Sequence, residues 1–439
     1  MTLEGFFQAK SIAVVGAARE EQKVGHTLLK NLLQNKNLRV FPVNPNATEI
    51  LGAKCYSNLL EIKENIELVI IAVKSDFVLQ VLKDSAKKKI KNVIIVTAGF
   101  AETGNKDLEE QIKKIAHENK ITLLGPNVMG TISPKNNFNA SFFDGIPKKG
   151  NIAFLSQSGA LGTAILDWSI KENIGLSGFA SLGNLTQLDF SDFIEYFSQD
   201  KETKVIALYM ESLKAGNGKK FIETCKKCKK PIVILKAGKS EAGSKAAMSH
   251  TAALASEKGV YESMFKQAGI IEAENITQVF RISEIIATYE KLGKRACIIT
   301  NAGGPGVLTT DYLSANKIEI PALPENIKEK LNKILPKEWS HNNPIDVLGD
   351  ALNDRYQSVL ANLDKENFFD FFLVLLTPQH MTKSLETAQT LTKLKKPTIA
   401  VFMGGNKIQS ALEFLKQNNI PVFSEPEDAS KVLGKIINL

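Results

Sequence analysis

Short apolar runs separated by amphipathic stretches set the rhythm of this chain. SIAVVG (11–16), LRVFPVNP (38–45), ELVIIAV (67–73), NVIIVTA (92–98) and ITLLGP (121–126) are continuous rather than alternating, and rich in β-branched residues. Runs of that kind predict parallel strands covered on both faces. Helical patterns over 76–89 and 105–119 separate several of them. The expected fold is α/β, opening with a doubly wound domain of Rossmann type. Ligands then belong at the carboxyl ends of the strands, in the loops after Val15, Val43, Val73 and Ala98.

A polar stretch with Pro and Gly, PKNNFNASFFDGIPKKG (134–150), reads as a linker. A second α/β unit follows, with NIAFLSQ, LSGFASLG, KVIALYME and PIVILKAGK as strands and a closing helix near 276–291. A third begins at RACIITNAGGPG (295–306), continues through FDFFLVLLT, PTIAVFMGG and PVF, and ends on a helix over 426–438. The expected limits are 1–133, 150–292 and 293–439, in line with about 150 residues per domain. The last two units share two features: a strand running into a small-residue loop and helix (SQSGAL, NAGGPGVL), and KKP before an apolar strand ending in Gly.

With 44% hydrophobic and 23% charged residues, the composition is that of a soluble globular protein. No run approaches the roughly 18 apolar residues of a membrane span, and MTLEGFFQAKSIAVVG lacks signal-peptide features, so no membrane association and a cytoplasmic location are expected. The net charge of +8 is spread over many lysines. Lys87, Lys88, Lys89 and Lys91 fall at a predicted helix end, where cations complement the dipole, so nucleic-acid binding is not expected. Cys225 and Cys228 form a CxxC without a second ligand pair, and no metal site is expected.

The first strand runs into Gly16 and then meets no glycine until Gly25. A dinucleotide fingerprint needs three glycines, so NAD is disfavoured, while an anion at the following helix N-terminus remains possible. SQSGA (156–160) suits a phosphate cradle and a plain helix cap equally well. In GSKAAMSHTAALAS (243–256), His250 lies among small residues with no apolar periodicity. Small neighbours let bulky ligands approach an imidazole, and Ser249 and Thr251 can donate to phosphate oxygens. A histidine attacking phosphorus must be neutral, with its other nitrogen fixed by a carboxylate. Glu211, at the carboxyl end of KVIALYM, is the candidate. His26, His117, His341 and His380 lack such a setting and are expected to be structural.

SQSGA, YMES, KAGKS…AAMSHTAALAS and NAGGPGVLTTD, taken in order, resemble the NDP-forming acyl-CoA synthetases, relatives of succinyl-CoA synthetase. SIAVVGAA, KVG, PVNP, AGFAE, GPN and NPIDVLGDA extend the resemblance over essentially the whole chain. It implies a Rossmann-like CoA-binding domain followed by two flavodoxin-like ligase domains. His250 would carry the phosphoryl group, supported by Glu211, and Ser156, Ser158, Gly159 and Ala160 would form the phosphate loop. The CoA loops would comprise Gly16, Ala17 and Ala18 with Lys23, then Asn44, then Val73, Lys74 and Ser75. Gly99, Phe100, Glu102 and Asn127 align with further motifs near that site.

The resemblance further implies that phosphate converts acyl-CoA to acyl phosphate, that the histidine takes the phosphoryl group, and that it passes to ADP or GDP. No Walker motif or ATP-grasp pattern is present, so an ATP-grasp beta subunit holding Mg with the nucleotide is the expected partner, in an α2β2 assembly. The rival reading is a non-catalytic CoA-binding or acyl-CoA-sensing protein. The chain departs from the family at Ala252 and Ser256, where glycines are common, and at Lys74-Ser75, where Pro-Ala is common.

Overall fold

The computed structural model of the protein describes residues 3–240, 242–243 and 259–438. Ser249, His250, Thr251, Ala252 and Ser256 lie outside the described residues. By its internal packing the chain divides into two compact units, Met1–Val279 and Phe280–Leu439.

The five apolar runs of the first segment form a parallel sheet, ordered Arg39–Val43, Ser11–Val15, Leu68–Ile71, Asn92–Ile95, Thr122–Leu124. Ser11–Val15 shows why its sequence is apolar throughout. Ile12 and Val14 enter one buried cluster, while Ala13 and Val15 enter another on the opposite face. Each fully buried branched side chain contributes about 1.5–3 kcal/mol relative to exposure. The covering helices follow the same logic. In Lys106–Glu118 the buried pair Ile112 and Ala116 is spaced i, i+4, with Asp107 and Glu109 in the first turn and His117 in the last, each matching the dipole.

The second sheet runs Ile271–Glu272, Ile232–Lys236, Val205–Met210, Lys149–Ser156, Leu176–Ser181 in parallel. An antiparallel hairpin, Gly130–Ser133 and Phe138–Ser141, extends its edge beyond Leu176–Ser181. The stretch 134–150 is therefore not a free linker. Phe138, Asn139, Ala140, Ser141 and Phe143 are all buried. Its asparagines are polar because they satisfy buried backbone: Asn139 Nδ2 donates to the Phe143 and Gly145 carbonyls. From the first segment, Asn31 Nδ2 donates to the Ser141 and Phe143 carbonyls at 2.9 and 2.7 Å.

The first two sheets share a core, which runs from Ile12, Leu68 and Ile94 to Leu155, Ala180 and Phe193. Phe7, on the short helix Gly5–Gln8, stacks on Tyr196 at 5.1 Å and meets Phe193 and Phe197 edge-on. In the second unit a five-stranded parallel sheet runs Ile345–Asp346, Ala296–Thr300, Phe371–Leu376, Thr398–Phe402, Val422–Phe423. Counting main strands in chain order, each of these three sheets is arranged 2-1-3-4-5. Each switch point thus lies between its first and third strands, where crevices for ligands open.

Candidate active site

At the first switch point the chain turns sharply after Val15. Gly16 has φ +94°, and a Cβ there would lie 2.4 Å from the Ala72 carbonyl oxygen. Gly25, in the helix Val24–Leu33, comes so close to the Gly16 carbonyl that no side chain fits between them. The two glycines thus do what a fingerprint does at different spacing, letting the loop turn and the helix approach. Asn44 Nδ2 donates to the Ala17 carbonyl at 2.7 Å, and His26 Nδ1 lies 3.2 Å from the Ala18 carbonyl. Ala17 and Ala18 are buried, Lys23 is exposed at the helix N-cap without a side-chain cap bond, and Lys74 is exposed at the N-cap of Ser75–Lys87.

Thr97, absent from the predicted set, holds the Val73 carbonyl through Oγ1 at 2.7 Å. Glu102 accepts from the Gly99 N–H at 2.6 Å and the Phe100 N–H at 3.2 Å. Phe100 itself is buried in the core. Asn184, from the second sheet's loops, donates to Glu102 at 2.6 Å and Glu109 at 2.9 Å, and accepts from Asn127 Nδ2 at 3.3 Å. Burial acts to raise the Glu102 pKa, but the bonds from Asn184, Gly99 and Phe100 outweigh it and leave the carboxyl below its ordinary value. Glu102 and Asn127 therefore tie the first sheet's loops to the second's.

At the second switch point, Ser156 ends its strand and its Oγ donates to the Ser158 carbonyl at 2.7 Å. Ser158 caps the helix Gly159–Lys171, its Oγ accepting from the Leu161 N–H at 3.3 Å. Gln157, unassigned by sequence although it stands inside SQSGA, is buried, and its Oε1 accepts from the Glu211 and Ser212 N–H groups at 2.9 and 3.0 Å. Glu211 follows Val205–Met210 directly. Burial, then the Glu211 carboxylate, push the Tyr209 phenol up to about 12.

Both described flanks of the segment carrying His250 touch this loop. Before it, Lys236 Nζ donates to the Glu211 carbonyl at 2.8 Å. After it, Tyr261 Oη accepts from the Leu213 N–H at 3.1 Å.

A cavity of about 470 Å³ joins the two switch points. It is lined by Val24, Val73 and Asn127 on one side and by Gln157, Ser158, Gly159 and Ala160 on the other. A cleft of about 540 Å³ beside Glu4, Asp192, Tyr196 and Asp200 brings together none of the predicted residues. Among the described residues no cluster of His, Cys, Asp or Glu is placed to hold a metal, and no helix is long and apolar enough to cross a membrane. Burial, then Cys228, push the Cys225 thiol up to about 12, a setting for an inert cysteine.

The cavity lies beside the N-termini of the helices Val24–Leu33 and Gly159–Lys171, where anions bind. Residues 10–134 match a CoA binding domain, 149–286 a succinyl-CoA ligase like flavodoxin domain, and 296–436 a ligase-CoA domain. The chain is 39% identical over 440 residues to the acetate–CoA ligase (ADP-forming) II subunit alpha of Pyrococcus furiosus, covering 98% of this chain and 96% of that one. It is 33% identical to the 4-hydroxybutyrate–CoA ligase (ADP-forming) of Nitrosopumilus maritimus, covering all of this chain but 64% of that protein. A dinucleotide-forming acetyl-coenzyme A synthetase 1 of Ca. Korarchaeum cryptofilum, solved with phosphate and ADP, superposes with a TM-score of 0.94 at 35% identity, over 99% of this chain and 96% of that chain. The chain belongs to the ADP-forming acyl-CoA ligase family, and spans nearly the full length of its separate alpha subunits.

Proposed function

We propose that the protein is the alpha subunit of an ADP-forming acyl-CoA synthetase, interconverting acyl-CoA, phosphate and ADP with a carboxylic acid, CoA and ATP. In this reading residues 1–133 bind CoA, 150–292 carry the phosphohistidine, and 293–439 form the second ligase domain. The observation that carries it is the shared cavity, which puts Val73 and Asn127 across from Ser158, Gly159 and Ala160. A thioester held by the first sheet's loops meets phosphate held at the helix N-terminus.

A phosphate oxygen attacks the thioester carbonyl carbon, the C–S bond breaks, and CoA leaves as the thiol with a proton from phosphate. Backbone N–H groups from Gly159 onward face the anion, and Ser158 keeps a hydroxyl proton to donate. His250 then attacks phosphorus, the carboxylate leaves, and Glu211 fixes the other imidazole nitrogen and stabilises the cation formed. Ser249 and Thr251 donate to the phosphoryl oxygens. An ATP-grasp beta subunit in an α2β2 assembly would hold ADP, with Mg to screen its phosphates, and receive the phosphoryl group from phosphohistidine. Acetate is the reference acyl group, and the protein works in the cytoplasm.

Incubating the full-length chain with acetyl-CoA, or a panel of larger acyl-CoA thioesters, and radiolabelled phosphate tests this reading. The expected product is one acid-labile, base-stable phosphate mapping to His250. CoA binding without label from any thioester would overturn it in favour of a non-catalytic CoA-binding protein.

A further inference from the structure

Lys236 is 5% exposed, at the end of the strand Ile232–Lys236. Its ammonium donates to the Glu211 carbonyl at 2.8 Å and to its own neighbour's carbonyl, at Ala237. It also lies 4.4 Å from the centre of the Tyr261 ring, a cation–π contact. Strand packing alone does not call for a cation here. In the third sheet the position paired with Leu376, as Lys236 is paired with Met210, is the fully buried Phe402. Among the described residues no carboxylate forms an ion pair with Lys236, and a buried ammonium in that setting is costly, so a role beyond filling space is implied.

Its contacts converge on one short loop. Gln157 holds the Glu211 and Ser212 N–H groups, Lys236 the Glu211 carbonyl, and Tyr261 the Leu213 N–H. A loop, a strand and a helix thereby fix residues 211–213, and Lys236 is the charged member of the clamp. Lys239, the nearby second cation, is paired with Glu272 at 2.7 Å. We propose that Lys236 is a positioning residue for Glu211, fixing its backbone so that its carboxylate can support the histidine that carries the phosphoryl group. This rests on the phosphohistidine reading above. Burial pushes the ammonium down to about 8, and the Glu211 carboxylate resists that shift, so the cation persists at neutral pH.

The test is a double-mutant cycle in the full-length chain, with rates of acid-labile phosphate incorporation from acetyl-CoA and labelled phosphate. Lys236→Met is expected to slow incorporation about tenfold or more while CoA affinity stays within about twofold. In a Glu211→Gln background the same substitution is expected to add almost nothing, because Lys236 acts through Glu211. Wild-type speed in Lys236→Met, or an undiminished loss in the Glu211→Gln background, overturns the proposal. If Lys236→Met does not fold, Lys236→Phe, with the residue that the third sheet carries, replaces it in the cycle. A wild-type chain that takes up no label overturns the phosphohistidine reading itself, whereas a labelled wild type matched by Lys236→Met overturns the Lys236 role alone.

Discussion

The second and third sheets have the same frame around different chemistry. In each, a hydroxyl at the end of the first strand donates to the carbonyl two residues on, Ser156 to Ser158 and Thr300 to Ala302, and a helix starts at the next residue, Gly159 or Gly303. The buried amide in between, Gln157 or Asn301, accepts the N–H of the residue that follows the third strand, Glu211 or Thr377. Ala237 N–H and Met403 N–H then bond to Met210 and Leu376, both at 2.9 Å. Against this match, two positions differ in kind: Glu211 becomes Thr377, and Lys236 becomes Phe402. The shared frame closes the rim of both sheets. In the proposed reading, Glu211 and Lys236 are what the reaction adds to one copy.

The largest test of that division is His250→Ala, expected to abolish both acyl-CoA synthesis and acid-labile labelling while CoA affinity, read by calorimetry, stays nearly unchanged. Near-normal turnover would remove the second sheet's claim to the chemistry. Next, Glu211→Gln should slow phosphoryl transfer about 10²-fold with the melting profile preserved, as for loss of an orienting carboxylate. Thr377→Val, at the matching position, should cost far less, and equal losses in single-turnover assays would break the asymmetry.

Gln157→Ala and Asn301→Ala sharpen the other half of the comparison. Each strips partly buried backbone N–H groups of their acceptor, two at Gln157 and one at Asn301, so each should lower stability by about 1–3 kcal/mol in denaturant unfolding. The activity loss beyond that should appear in Gln157→Ala, because its amide also fixes Glu211. The smallest effect concerns pH. Since the folded-state pKa of Glu102 is lowered, its stabilisation is present above the unfolded carboxylate value of about 4.3 and is lost as pH falls through the folded value. Glu102→Gln should therefore flatten the acid limb of the melting temperature against pH, and an unchanged limb would count against the Asn184 network.

Much of this was legible in the chain itself. The apolar runs became strands within a few residues of their expected limits, because a strand buried on both faces has little freedom in composition. The small-residue loops after Val15, Ser156 and Thr300 fell at strand ends for a local reason: a sharp turn into a helix tolerates few side chains. Glu211 was expected from its place at a strand end and Ser158 and Asn127 from the resemblance, and their roles are proposals; His250 stands outside the described residues.

What only the tertiary structure decided involves partners far apart in sequence. Gly25 looked like an ordinary helix glycine until the fold set it against the Gly16 carbonyl. The asparagines of 134–150 looked like loop residues, yet they pay the hydrogen-bond debt of a buried sheet edge with help from Asn31, over a hundred residues away. Asn184 and Gln157 carry no signature of their own, since their value lies in bonds to Glu102 and Glu211 across loops. Lys236 stands in the expected strand PIVILKAGK with no signal of its own, and burial under Tyr261 made it a desolvated cation. Local sequence sets which segments are strands and turns because those depend on a residue and its neighbours. The worth of a buried polar group depends on what the fold brings to meet it.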